Sequence, residues 1–175
     1  MKKIAARLTI VLILLAVLLL TAGIVRKVAK VNEIADRINI LPDFTFPTVD
    51  GQLFSSTEIT KGPLLVTFFH PECEHCQYEI SSLFEKNVFK ENIKVILVSY
   101  AGRTAIKTFM DQFNTENDTT LWVLSDTSLS FREIFGTEII PSNFIYDDNL
   151  KLVKMLKGEV RTETILKYLE SANQH

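Results

Sequence analysis

Cysteine is scarce: the chain of 175 residues holds two, Cys73 and Cys76. Both belong to one Cys-x-x-Cys pair, so no cysteine is left to staple distant parts of the chain. Acids are absent from residues 1–30, which carry Lys2, Lys3, Arg7, Arg26, Lys27 and Lys30. The remainder holds 13 basic and 21 acidic residues, a net of −8 hidden within an overall −2. An acidic body lacks the basic surface needed to neutralise phosphates, which argues against nucleic-acid binding. No cysteine stands near the end of the N-terminal apolar run, and this excludes a lipid-anchored lipoprotein. No internal repeat or low-complexity segment is visible.

What is present suits one domain of ordinary size plus an appendage. The chain is 47% hydrophobic and includes twelve Phe, ample for a core. Leu8 to Val25 is a run of 18 residues without a charge, nearly all aliphatic. That length just reaches the threshold for a membrane-spanning helix. A cleaved signal peptide is the alternative, with small residues at Thr21-Ala22-Gly23 where a peptidase would cut. Because the run continues through Ile24 and Val25, an uncleaved anchor is expected. The division is then a short tail over 1–7, an anchor over 8–25, a helical stalk over 26–41 and a folded domain over 42–175. Flanking charge does not set the orientation, since three Lys/Arg lie on each side. A hydrophobic N-terminal segment normally exports the polypeptide on its C-terminal side. The expectation is therefore a single-pass protein of the cell membrane with its body outside the cytoplasm, in a periplasmic position.

In the stalk, Ile24, Val28, Val31, Ala35 and Ile38 form one helical stripe. It is expected to pack on the protein's own body, a short dimer seam being the sharper alternative. Pro42 ends this helix. Residues 44–54 read as a β-hairpin about Asp50-Gly51, a two-residue turn signal. A short helical turn over Ser55–Thr60 and a break at Gly62-Pro63 come next. Strands are expected at Leu64–Phe69, Ile93–Tyr100, Leu121–Leu124, Asn143–Tyr146 and Leu150–Leu156. Helices are expected over about 74–88, along the face Ala105–Phe113, over Ser128–Phe135 with Gly136 as C-cap, and over Thr162–Glu170. This order gives an α/β fold, a mixed central sheet with helices on both faces and an extra N-terminal hairpin. Trp122 and the Phe residues read as core. Asn117-Asp118-Thr119 matches a glycosylation acceptor but reads better as a polar loop.

The chemistry centres on His70-Pro71-Glu72-Cys73-Glu74-His75-Cys76, where a buried strand ends and a helix begins. The thiolate is the attacking species in thiol chemistry. Unpaired N–H groups and the dipole at a helix N-terminus favour negative charge. Cys73 is thus expected to be accessible with a lowered pKa. Cys76, one turn on, is expected to be more buried and able to close a disulfide onto Cys73. A redox-active dithiol is the functional reading. A static disulfide and two inert buried thiols compete with it, although so small a loop stabilises a fold little.

With the motif, Pro141 and this element order together, the chain resembles thioredoxin-fold proteins. More narrowly, it resembles the membrane-tethered TlpA/ResA-like thiol–disulfide oxidoreductases, over roughly residues 42–172. The resemblance implies Cys73 as nucleophile and Cys76 as the resolving thiol. It implies Glu79 as a functional acid, where an ordinary first-turn helix acid is the alternative. It also implies a cis Ile140-Pro141 bond that presents the backbone of Ile140 to substrate. His75 resembles the His of strongly oxidising relatives and would stabilise the Cys73 thiolate; otherwise it is a solvated loop residue. Two departures stand out: Glu72 replaces a frequent Trp, and Thr67 occupies the place of the buried Asp of thioredoxins. No cofactor or resident metal is implied. The implied partners are a protein disulfide substrate and an upstream thiol electron donor, membrane-bound or soluble.

Four other readings remain open. One is a thiol oxidase or isomerase of the same fold. A second is a copper- or zinc-binding module using His70, Cys73, His75 and Cys76, although Sco-like carriers space their cysteines wider and use a distant His. The third is a peroxiredoxin-like peroxidase, which needs Thr or Ser three residues before its reactive cysteine, where this chain has His70. The last is a tethered adaptor without catalysis.

Overall fold

The computed structural model describes residues 2–88, 93–113, 115 and 119–173, with the side chains of residues 2–13 outside that description. Asn117 and Asp118 of the acceptor tripeptide, and His175, fall outside the described residues. The chain divides into two compact units, Met1–Asp36 and Arg37–His175. The described residues of the first lie within α1 (Lys2–Ile38), a helix of 37 residues. Among the described residues, no helix is long and apolar enough to cross a membrane. The span expected from Leu8 begins among side chains outside the description. Of the expected stripe, Ile24, Val28, Val31 and Ala35 are exposed and Ile38 is buried.

The second unit begins at Arg37. Ile38 and Leu41 are buried. Their neighbours pair with a later hairpin: Leu41 N–H donates to Leu150 O (2.9 Å) and Leu152 N–H to Asn39 O (2.8 Å). Phe44 and Phe46 then alternate inward along β1 (Thr45–Pro47), which pairs antiparallel with β2 (Leu53–Ser55). The hairpin is where it was expected, but its loop has three residues, not two. Thr48 N–H bonds Gln52 O, and Gly51 N–H turns back to Thr48 O. Gly51 takes φ +90°, the positive-φ position that such loops give to glycine. A capping box of Ser55 and Glu58 opens a 3-10 turn over Ser56–Glu58.

Five further strands make the main sheet: β3 (Leu64–Phe69), β4 (Lys94–Ser99), β5 (Leu121–Ser125), β6 (Ser142–Tyr146) and β7 (Leu152–Lys157). Their order is β5-β4-β3-β6-β7. β3, β4 and β5 run parallel to one another, whereas β6 is antiparallel to both β3 and β7. Parallel neighbours need a crossover, supplied by α2 (Glu74–Glu85) and α3 (Arg103–Met110). α4 (Ser130–Phe135) precedes β6, and α5 (Thr162–Ala172) closes the chain. α4 starts two residues later than expected because Leu129 is left-handed.

Strand alternation sorts the core into two layers. Leu65, Phe69, Val95, Leu97 and Ile145 meet Cys76, Ile80 and Leu83 of α2, together with buried residues of α3 and α5. Leu64, Val66 and Phe68 point the other way. There Phe68 stacks on Phe131 of α4 (4.6 Å between centroids), which stacks on Phe135 (4.0 Å). Phe44 reaches Phe135 at 5.9 Å, so the N-terminal hairpin helps to cover this face. The hairpin is also tied to β5, since Val49 N–H donates to Val123 O and Phe54 packs on Trp122.

β3 begins after Gly62-Pro63, where the backbone passes close to Asp147. A Cβ on Gly62 would sit 2.2 Å from Asp147 O. Backbone cannot swing aside as a side-chain tip does, so Gly62→Ala is expected to cost about 1–3 kcal/mol. Gly102→Ala serves as the control, since nothing lies within 4 Å of its Cβ. Urea unfolding should lower the midpoint more for the first variant than for the second, whose loss is confined to the capping preference at the N-cap of α3, with m unchanged in both.

Candidate active site

β3 delivers the chain to the motif, and a tight turn aims it into α2. His70 O accepts from Cys73 N–H (3.1 Å), and His70 Nδ1 accepts from Glu72 N–H (3.3 Å). Gln77 locks the turn from the helix side, donating from Nε2 to Pro71 O at 2.6 Å. Cys73 then sits at the N-cap of α2 with extended backbone, φ −86° and ψ 113°. Its Sγ accepts from Cys76 N–H at 3.4 Å. A sulfur thus fills the capping place usually held by an oxygen of Ser, Thr, Asp or Asn, facing the orphan donors of the first turn.

The two thiols differ as expected in exposure. Both are free; Cys73 is half-buried and Cys76 is fully buried. Burial pushes the Cys76 thiol well above its ordinary pKa. The hydrogen bond with Cys73 and the charges of Cys73 and Glu79 push the same way, and only the His70 backbone opposes them. Cys76 therefore needs a proton acceptor before it can act as a nucleophile.

Glu79 lies one turn beyond Cys76 on the same face of α2 and is 0% exposed. Its Oε1 accepts from Asn143 Nδ2 (2.8 Å) and its Oε2 from Val160 N–H (2.7 Å). Burial raises its pKa above the usual 4.5, those two donors pull it down, and the charge of Glu159 pushes it up. The sheet register explains the first donor. Thr67 and Asn143 stand directly opposite one another on the α2-facing side of β3 and β6. Thr67 Oγ1 donates to Asn143 Oδ1 at 2.7 Å, and both residues are buried. The carboxylate that thioredoxins place on the central strand is here carried by the helix, and the strand contributes a hydroxyl. An exposed first-turn acid, the alternative for Glu79, does not describe this side chain.

His75 is 73% exposed, and its Nδ1 pairs with Glu159 Oε2 on the loop between β7 and α5. Among the described residues its hydrogen-bond partner is that carboxylate and not a sulfur. The Ile140–Pro141 peptide is cis. Ser142 pairs with Phe68, so the cis peptide lies immediately before the first residue of β6 to pair with β3. Ile140 is half-buried and packs against the cluster that contains Cys76, while Ile139 is exposed. Among the described residues, no group of three or more His, Cys, Asp or Glu is placed to hold a metal ion. Of the four proposed ligands, His70 lies against the Tyr100 ring and His75 is held by Glu159.

The sequence pattern of the AhpC/TSA family matches residues 39–155, the stretch from the first sheet contacts to β7. The chain belongs to the AhpC/TSA family. Within this thioredoxin-like family the chain is similar to the thiol-disulfide oxidoreductase ResA of Geobacillus thermodenitrificans, 22% identical over 133 residues and 74% of each chain. Its fold matches that of MTB DsbF, with a TM-score of 0.66 at 18% identity, covering 78% of this chain and 97% of that one. A secreted Mycobacterium tuberculosis disulfide oxidoreductase homologous to E. coli DsbE gives 0.65 at 16% identity, covering 78% and 98%. The first of these relatives is named a thiol-disulfide oxidoreductase and the third a disulfide oxidoreductase.

Sequence reasoning singled out Cys73, His75, Cys76, Glu79, Ile140 and Pro141 but not Asn143, Val160 and Glu159, the partners that the structure gives Glu79 and His75. Asn143 was detectable, being polar at a core-facing register just before the Phe144-Ile145-Tyr146 run. Val160 and Glu159 act through a backbone N–H and a loop position, and neither leaves a mark in sequence.

The burial of Glu79 predicts a pH signature. Its folded pKa lies above its unfolded one, so the native state keeps a proton that the unfolded chain has released. Its contribution to stability is therefore greatest below about 4.5 and is lost as pH rises toward the folded value. Urea titrations of wild type and Glu79→Gln across this interval should differ by a component that falls with rising pH, about 1.4 kcal/mol per unit of pKa separation. A flat or rising difference would contradict the assignment.

Proposed function

We propose that this chain is a membrane-tethered thiol–disulfide oxidoreductase that reduces disulfides of extracytoplasmic proteins through Cys73 and Cys76. The observation that carries the reading is a half-buried sulfur capping a helix, with a fully buried thiol one turn behind it and a buried carboxyl next in line. Ionised Cys73 attacks a partner disulfide; one S–S bond breaks, and the released partner sulfur leaves as a thiolate that takes up a proton. A mixed disulfide now joins Cys73 to the partner. Cys76 gives its proton to Glu79, and its thiolate attacks Cys73. The Cys73–Cys76 bond forms, the bond to the partner breaks, and the electron pair leaves with the partner's second sulfur. The partner is reduced by two electrons and this protein is oxidised by two. A thiol donor then restores the dithiol.

The finer parts of the reading rest on sequence. Residues 8–25 anchor the chain in the membrane with the body in a periplasmic position, and apocytochrome c is one kind of substrate that a ResA-like role suggests. Ile140 and Pro141 line the place where an extended substrate segment lies beside Cys73. An oxidase or isomerase would use the same atoms with electrons flowing the other way, and His75 is the feature that leans toward it.

The reduction potential of the pair tests the direction. A reductase is expected near about −270 mV, and a value near about −120 mV would make the protein an oxidant instead. Cys76→Ser should accumulate disulfide-linked partners in the membrane fraction, and Cys73→Ser should accumulate none. Failure to trap any partner would sink the mechanism. The same preparations separate the rivals: one equivalent of retained copper or zinc under reducing conditions would favour a metal module, and sustained peroxide turnover a peroxidase.

A further inference from the structure

The resolving step needs the Glu79 carboxylate to face Cys76 with the right proton affinity, yet α2 alone does not fix its orientation. The carboxylate is gripped from two other elements. Val160 N–H holds Oε2 from the loop after β7, and Asn143 Nδ2 holds Oε1 from β6. The Val160 donor is backbone and cannot be turned round. Asn143 is different, because its amide offers a donor or an acceptor depending on which way it lies. Thr67 settles this by donating its hydroxyl to Asn143 Oδ1, which leaves Nδ2 for Glu79.

We propose that Asn143 is a positioning residue for the resolving step: oriented by Thr67, it holds the Glu79 carboxyl as the acceptor for the proton of Cys76. This rests on the dithiol reading above and adds to it the group that sets the acceptor. The structure supports the proposal at each link. The side chains of Thr67, Cys76, Glu79 and Asn143 are all fully buried, so none of these bonds is traded for water. With both oxygens already accepting, protonating Glu79 puts its new O–H in competition with a fixed donor, which favours the ionised form. The titratable groups facing Glu79 are Cys76 on its own helix and Glu159 on the β7–α5 loop, the latter paired with His75. β3 and β6 face it with Thr67 and Asn143, neither of which titrates.

The test uses the full chain, reduced, with 5,5′-dithiobis(2-nitrobenzoate) as probe. Cys73 attacks the probe and releases one thionitrobenzoate; Cys76 then displaces the second while the Cys73–Cys76 disulfide forms. The ratio of the two release rates isolates the resolving step. Asn143→Ala is expected to slow the second release relative to the first by about tenfold on the acid side of its pH profile, moving the acid-side midpoint up by about one pH unit. Asn143→Asp keeps the shape of the side chain but replaces the donor with a like charge, and should move the midpoint further. Thr67→Val should move it in the same direction by less. In a Glu79→Gln background, Asn143→Ala should change the ratio no further.

Equal slowing of both releases, an unchanged midpoint in both Asn143 variants, or full additivity with Glu79→Gln would overturn the proposal. Asn143→Asp keeps it falsifiable if the alanine variant unfolds. Absence of a second release in wild type would instead overturn the dithiol reading itself.

Discussion

A carboxyl group enclosed between a helix and a sheet stays there only if its oxygens are given partners. Glu79 is that group, and much of the architecture around the motif is bound up with supplying it. β3 and β6 must be antiparallel neighbours in a register that sets Thr67 against Asn143. The chain must leave β7 so that Val160 presents its N–H to the same carboxyl. α2 must pack with Cys76, Glu79, Ile80 and Leu83 facing inward. Three parts of the sequence that lie far apart are held in place by one buried acid.

The thiols use the same helix end in another way. Cys73 occupies the cap and takes an N–H of the first turn, so its sulfur looks outward with backbone support. Cys76 is one turn further in, where the surroundings oppose ionisation. The asymmetry is made by position alone, for the two side chains are identical. In the proposed mechanism this asymmetry sets the order of events: the outer sulfur meets the partner, and the inner one waits for a base.

Much of the fold was legible in the sequence because its signals are strong and local. Largely apolar runs such as Leu64–Phe69 mark strands covered on both faces, and the Gly136 stop and the Asp50-Gly51 turn are local backbone chemistry. Boundaries were less legible where tertiary pairing moved them. Ile38 and Leu41 belong to the folded unit because the chain around them meets Leu150 and Leu152, more than a hundred residues later. Leu129 delays α4 through a left-handed backbone that its side chain does not announce. Within the site, residue types revealed the thiols and the proline. Glu159 and Val160, the loop partners of His75 and Glu79, were not legible, because which loop folds over α2 depends on where β7 ends.

The docking of the N-terminal hairpin on β5 has a consequence beyond the core. Thr48 bridges to Leu124, and Val49 takes the carbonyl of Val123. A bare outer strand offers unsatisfied amides to any neighbouring molecule that comes alongside. Here the chain occupies part of that margin with its own backbone, so this flank of the sheet is shielded from the stacking by which exposed strands seed aggregates.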